Sequence, residues 1–351
     1  MSAPTWSATR LATFRRCVRL HHYRYVLGLG EPSTDTQEFG KVGHSVLETL
    51  LRAQMGDVIA NAVVMQGIPM DLPDAYEAAR LSALIDGYRL RWESTRWEVL
   101  GVEVPFEYEL AGHIINGRMD GIVRDLADGR VYVLEHKFTS SDTSPGSAYW
   151  ERLTLDAQVS IYCDAAAMLG YDCAGVIYDV IGKPALKPKL ATPVEKRKMT
   201  AGKGCKACGG KAGVKGLGYG PVGGDCIACK GSGWSEAPRL YEGQRDTGEP
   251  VQEFRDRVIE SIAANPDDYY RRAVIVRTED ELPKMRTDLL DTIKLARAAE
   301  LFDVQPRNPD SCLRYGSRCF FWDACTGAAS IDDSLRFPRR ARVEQAAQTT
   351  P

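Results

Sequence analysis

Three side chains near the middle of the chain carry the strongest chemical signal: Asp120, Glu135 and Lys137. Two largely apolar runs, Ile114 to Leu126 and Val131 to Phe138, flank Asp128-Gly129, a dipeptide that favours the left-handed backbone of a tight turn. The segment therefore reads as a β-hairpin. Side chains alternate along a strand, so Val131, Val133, Glu135 and Lys137 share one face of the second arm. An acid and an amine two residues apart in apolar surroundings are each costly to bury alone, and something must compensate both charges. Asp120, between Gly117 and Gly121 on the first arm, supplies a second carboxylate. A divalent cation is the simplest compensation, and a few hard oxygen ligands completed by water suit magnesium or manganese. Taken alone, Glu135 and Lys137 would also serve as an edge-strand salt bridge.

Other elements must pack against this hairpin to position it. Residues 7–27, with Ser7 as N-cap and Leu11, Phe14 and Val18 at helical spacing, read as a basic helix with Cys17 on its apolar side. Alone, such a cysteine is a small core residue. Glu38 to Ala53 reads as a helix buried through Val42, Val46, Leu47, Leu50 and Leu51, with His44 just off that stripe. Residues 74–93 read as a further helix and 98–110 as a strand entering the hairpin, where Pro105 points to an edge or a bulge. After a Ser/Thr/Pro/Gly loop, Ser140 to Ser147, a helix from about Thr154 to Leu169 puts Gln158 and Tyr162 on one face. Cys173 to Ile181 is an apolar strand, with Cys163 and Cys173 as core residues. A helix from Pro250 to Ala264, an arginine-rich strand from Tyr269 to Arg277 and a long helix from Glu279 to Phe302 follow.

In this order the residues resemble a known family. Gly117-Arg-Met-Asp120, a hairpin, then Glu135-His136-Lys137 is similar to the signature of the PD-(D/E)XK nuclease superfamily. Phe39-Gly40-x-x-Gly43-His44-x-x-Leu47-Glu48 resembles the first motif of its RecB-type members, and Gln158-x-x-x-Tyr162 their helix motif. The resemblance implies an α/β fold, restriction-endonuclease-like, with a mixed central sheet flanked by helices. It implies that His44, Asp120 and Glu135, with the carbonyl of His136, hold one or two Mg2+ or Mn2+ ions. Lys137 would position or deprotonate the attacking water; burial lowers its pKa and nearby carboxylates raise it. Gln158 would help fix the lysine region, and Tyr162 would lie along the DNA path. The implied activity is exonucleolytic hydrolysis of DNA, as single strands from a free 5′ end or at duplex ends. Its setting would be recombination, repair or end processing, with a helicase or recombinase as partner.

The cysteines extend this reading. Of the 351 residues, ten are cysteine, no apolar run is long enough to span a membrane, and the N-terminus lacks a signal-peptide core. A cytoplasmic protein of a prokaryote or phage-infected cell is expected, in which cysteines ligate metals rather than form disulfides. From Lys183 to Lys215 there are ten Lys or Arg and one acid, Glu195, within a Gly- and Pro-interrupted stretch. The wider insertion, residues 183–239, contains Cys205-x-x-Cys208 and Cys226-x-x-Cys229, whose spacing fits a four-thiolate Zn2+ site. The second knuckle resembles the zinc modules of DnaJ-type chaperones. Such an insertion could be a structural staple, a grip on phosphates, or both. Cys312, Cys319 and Cys325 fall within fourteen residues and want a fourth ligand; Cys17 is the unpaired candidate. One cysteine before the nuclease core and three after it resembles the iron–sulfur clasp of RecB-like exonucleases, including CRISPR-associated and phage types. That implies a [4Fe–4S] cluster on Cys17, Cys312, Cys319 and Cys325, with a second zinc as the alternative. Phe320, Phe321 and Trp322 would shield either.

The expected organisation is a nuclease domain from residues 1–182 and 240–338, a basic zinc-binding insertion at 183–239 and a polar tail at 339–351. A net charge of −2 provides no global attraction to nucleic acid, so contact must come from local patches. The competing reading is a nucleic-acid-binding or assembly protein with a vestigial nuclease core that acts through the insertion. A retired site has no physical need for paired buried charges, which weighs against it.

Overall fold

The hairpin forms the middle of a five-stranded sheet. In the computed structural model, which describes residues 5–200, 202–206, 234–237, 239–314 and 317–340, the strands are β1 (Trp97–Leu110), β2 (His113–Asp125), β3 (Val131–Thr139), β4 (Cys173–Gly182) and β5 (Tyr270–Ile275). They lie side by side in that order; β3 and β4 are parallel and the other neighbours antiparallel. The expected mixed α/β sheet is therefore present. A parallel pair needs a crossover, and the helix Ala157–Met168 lies within it. Gly129 takes a left-handed φ of +73° in the β2–β3 turn, as its pairing with Asp128 predicts. Pro105 lies on the edge strand β1, and the bulge falls earlier, between Val99 and Gly101.

The two arms of the hairpin pair only from Gly121–Arg124 against Val131–Leu134. Beyond Gly121 they part. Trp6 takes up the free edge of β2, donating its N–H to the Ile114 carbonyl (2.8 Å) and accepting from the Asn116 N–H (2.9 Å). Asp120 sits where the arms diverge, which opens room for its carboxylate beside β3.

Alternation along β3 divides its side chains between two layers of helices. The larger helices are α1 (Ala8–Arg16), α2 (Asp35–Gln54), α3 (Val58–Gln66), α4 (Ala75–Arg91), α5 (Ala157–Met168), α6 (Val251–Ala264) and α7 (Glu281–Leu301). Leu134 clusters with Leu51 of α2, Val123 and Ile177. On the opposite face Val133 joins a core with Val159, Tyr162, Val176 and Val180, closed by Leu289 and Ile293 of α7. Helix α2 starts at a capping box in which Thr34 and Gln37 satisfy each other's backbone N–H groups.

The single helix expected over residues 7–27 is broken. Helix α1 ends at Arg16, Cys17 is extended (φ −164°, ψ 118°), and a short turn Val18–His21 and a π-turn His22–Val26 follow. The reason is tertiary: the Arg16 carbonyl accepts from Asn308 Nδ2 (2.8 Å) and Ser311 Oγ (3.0 Å), and the Arg19 N–H donates to the Pro306 carbonyl (3.3 Å). Cys17 thus sits at a junction with the C-terminal segment rather than on a helix face.

The chain divides into two compact units, Met1–Leu72, Tyr88–Lys183 and Asn265–Pro351 forming one, and Pro73–Gly87 with Pro184–Ala264 the other. The sheet belongs to the first. In the second, Phe254 is fully buried against Tyr76, and the buried Glu249 carboxylate is held by Arg257 Nε (2.6 Å) and the Lys189 N–H (2.8 Å). A ribbon of Lys203–Gly204 against Trp234–Glu236 brings together the two ends of the cysteine-bearing segment. Cys205 is buried there; Cys208, Cys226 and Cys229 lie outside the described residues.

Candidate active site

Asp120, Glu135, Lys137, Gln158, Tyr162, His44 and His136 all meet at the point where β2 and β3 separate. The Asp120 carboxylate accepts the His136 backbone N–H (2.8 Å), and His44 Nδ1 lies 3.3 Å from the same oxygen. His44 reaches it from α2, where Gly43 packs so closely on Phe138 that an added Cβ would lie 2.4 Å from its ring. Gly43 is thus required by close approach, whereas Gly40 faces open space. On the other face of β3, Lys137 Nζ donates to Glu135 Oε1. Gln158 joins the set from the first turn of α5: its Nε2 donates to Glu135 Oε1 (3.1 Å) and to the Tyr162 hydroxyl (2.7 Å), while Lys137 Nζ lies 3.4 Å from its Oε1. Tyr162, 5% exposed, donates in turn to the Arg118 carbonyl (3.0 Å). It is a buried brace between α5 and β2, and its ring is not presented to a substrate.

The electrostatics follow from burial and neighbours. Burial acts to raise the Asp120 pKa, but the hydrogen bonds and charges of His136 and His44 outweigh it and hold the carboxyl well below its ordinary value. Burial pushes Glu135 up, with the Lys137 ammonium drawing it back. For Lys137 burial acts downward, yet the Glu135 carboxylate wins and keeps the amine protonated. His44 is likewise raised, Asp120 outweighing the loss of solvent.

Glu135 is 3% exposed and its Oε2 has no hydrogen-bond partner. A buried carboxylate oxygen without a donor fits a cation. Among the described residues no three His, Cys, Asp or Glu side chains converge closely enough to enclose an ion. The protein's share would be the two carboxylates, with water and substrate phosphate supplying the rest, which suits magnesium or manganese better than a metal requiring a closed cage.

Sequence reasoning passed over a second network behind the site. His136 Nε2 lies 3.5 Å from the Tyr88 hydroxyl and 3.9 Å from Asp179 Oδ2. Asp179, fully buried on β4, accepts from Tyr88 (2.6 Å) and from Arg272 Nε of β5 (2.8 Å). The Arg272 guanidinium is sandwiched between Trp92 (3.9 Å) and Trp97 (4.3 Å). The available signal was an acid within the apolar run of β4.

Cys17, Cys312, Cys319 and Cys325 border one apolar cavity with Leu20, Tyr23, Phe321 and Trp322. Phe321 and Phe337 are almost fully buried beside it. Cysteines from both ends of the chain thus line the same cavity, although among the described residues no three His, Cys, Asp or Glu side chains converge closely enough to enclose an ion.

The mixed sheet parts between β2 and β3 and sets Asp120, Glu135 and Lys137 together at the gap. The sequence profile of the PD-(D/E)XK nuclease superfamily matches residues 5–326, and the chain belongs to that superfamily. No curated protein matches it. Among solved structures it is similar to the crystal structure of SSO0001, at 16% identity and a TM-score of 0.23, over 52% of this chain and 64% of that one. Among the described residues no helix is long and apolar enough to cross a membrane.

Proposed function

We propose that the chain is a magnesium- or manganese-dependent DNA exonuclease of the RecB-like type, degrading single-stranded DNA from a free 5′ end. The observation that carries the reading is the connected set Asp120, Glu135, Lys137 and Gln158 at the parting of β2 and β3. Asp120 and Glu135, with His44 beside Asp120 and the carbonyl of His136, would hold the metal. A bound ion supplies Lewis-acid polarisation of the phosphate and a more acidic water. Lys137 would orient or deprotonate the attacking water and offset the charge gathering on the phosphate. Gln158 ties Glu135 to Lys137 and keeps both on one register.

A [4Fe–4S] cluster on Cys17, Cys312, Cys319 and Cys325 belongs to the same reading; four thiols around one apolar cavity are the right donors for it. A zinc in the 205–229 knuckles and a helicase or recombinase partner complete the proposal.

Magnesium-dependent digestion of end-labelled single-stranded DNA tests it. Release should proceed from the 5′ label, and Asp120→Ala or Lys137→Ala should slow it by about 100-fold or more. Undiminished cleavage by either variant overturns the site assignment. Iron and sulfide at about four each per chain after anaerobic purification are expected, and two zincs without iron would refute the cluster.

A further inference from the structure

The register of the sheet carries the catalytic face outward to β5. Lys137 pairs with Val180 and Val180 with Arg271, so Arg271 shares the face of Lys137 two strands away, at about 10 Å. Arg271 lines a cleft of about 360 Å³ along the outer side of β5, together with Arg91, Trp92, Pro145, Trp150 and Arg272. That is the size of a small-ligand site.

The charges in this cleft are unevenly matched. Arg272 is neutralised by Asp179, and Arg91 pairs with Asp267 at 2.5 Å. Arg271 has no carboxylate within ion-pair distance among the described residues; Asp142 acts on it only at longer range. Its Nε is buried and unpartnered, as is the indole Nε1 of Trp92 in the same cleft. An arginine left without a carboxylate at the edge of a cleft suits an anionic ligand such as a phosphate. Trp150, by contrast, is fixed by its Nε1 donating to the Thr143 carbonyl (2.7 Å), on the helical turn Ala148–Glu151. Indoles beside an uncompensated arginine are the elements of a sequence-tolerant site for single-stranded nucleic acid.

We infer that this cleft holds the single-stranded substrate next to the point of cleavage, with Arg271 on a backbone phosphate and a base beside Trp92 and Trp150. The inference deepens the nuclease reading and rests on it for the identity of the ligand.

Oligothymidylate binding by the full-length protein, measured by fluorescence anisotropy without added divalent metal over a range of salt, tests the cleft separately from catalysis. Arg271→Ala should weaken binding by about 5- to 50-fold and flatten the slope of log K against log salt by about 0.7, the share of one phosphate on a single strand. Arg271→Lys, which keeps the charge, should restore the slope. Equal affinity and slope in all three proteins overturns the inference, and is also the result expected if the open edge of β5 takes an extended peptide instead. Wild-type protein that digests DNA but shows no Arg271-dependent slope refutes the cleft alone. Arg271-dependent binding by a protein that cleaves nothing supports the cleft and refutes the nuclease reading.

Discussion

Gln158 offers the sharpest test of how the site is held together, because it touches Glu135, Lys137 and Tyr162 without being a candidate metal ligand. Gln158→Ala removes one hydrogen bond to a carboxylate (3.1 Å), one to a phenol (2.7 Å) and a long contact to the lysine (3.4 Å). Lys137 keeps its bond to Glu135 and Tyr162 keeps the Arg118 carbonyl, so the fold should lose only about 1–2 kcal/mol. The bond to Glu135 is charge-assisted and worth about 1.5–3 kcal/mol. If that bond fixes the carboxylate in its working position, kcat should fall by about 10- to 150-fold and the magnesium needed for half-maximal rate should rise. Single-turnover cleavage across a magnesium titration, beside urea unfolding, separates the two effects. A variant within twofold of wild type in rate at every magnesium concentration would show that Glu135 is positioned by β3 alone.

Two further outcomes concern stability. Arg272→Ala leaves the fully buried Asp179 with Tyr88 as its hydrogen-bond donor and His136 at 3.9 Å, and should cost about 3–5 kcal/mol in urea unfolding, whereas the double change Asp179→Leu with Arg272→Met should recover most of it; a single variant losing less than about 1 kcal/mol contradicts the network. His21 is 2% exposed, lies between Trp6 and Tyr25, and accepts from Arg10 Nε (3.2 Å). Burial first, then the Arg10 charge, lowers its pKa to about 4, against about 6.5 when unfolded. Below pH 6.5 the unfolded chain takes up a proton that the native state refuses. This contribution is therefore complete above pH 6.5 and lost as pH falls towards 4, by about 3 kcal/mol in all. The difference in unfolding free energy between wild type and His21→Asn should change over that window; a constant difference between pH 7 and pH 4.5 refutes the assignment.

The elements legible in the sequence were those set by local periodicity. The hairpin could be read because alternation and a Gly at a left-handed position act over a few residues, and α2 because its apolar stripe is local too. The break at Cys17 was invisible for the opposite reason. Leu11, Phe14 and Val18 keep helical spacing straight through it, and what interrupts them is a set of hydrogen bonds from Asn308 and Ser311 almost three hundred residues later. Helix α3 escaped notice as well. Its run Val58-Ile-Ala-Asn-Ala-Val-Val-Met is apolar on nearly every side, leaving Val58, Ile59 and Met65 largely exposed and no amphipathic stripe to read.

The site itself shows the same boundary between local and distant information. Glu135 and Lys137 declare themselves because two charges in an apolar strand demand an explanation, but the side chain of His136 between them has no role that the sequence shows. Its importance comes from the sheet. The divergence of β2 from β3 turns the His136 N–H towards Asp120 instead of towards a neighbouring strand, and alternation sends its imidazole to the opposite face from Glu135. There the parallel register with β4 sets it opposite Asp179, and the antiparallel register with β5 sets Asp179 opposite Arg272. Each of these residues alone is unremarkable in sequence: an acid in an apolar run, an arginine in an arginine-rich one. Only the pairing of three strands makes them a single charge-balanced support. That support ends, through one backbone N–H, on a carboxylate of the candidate active site.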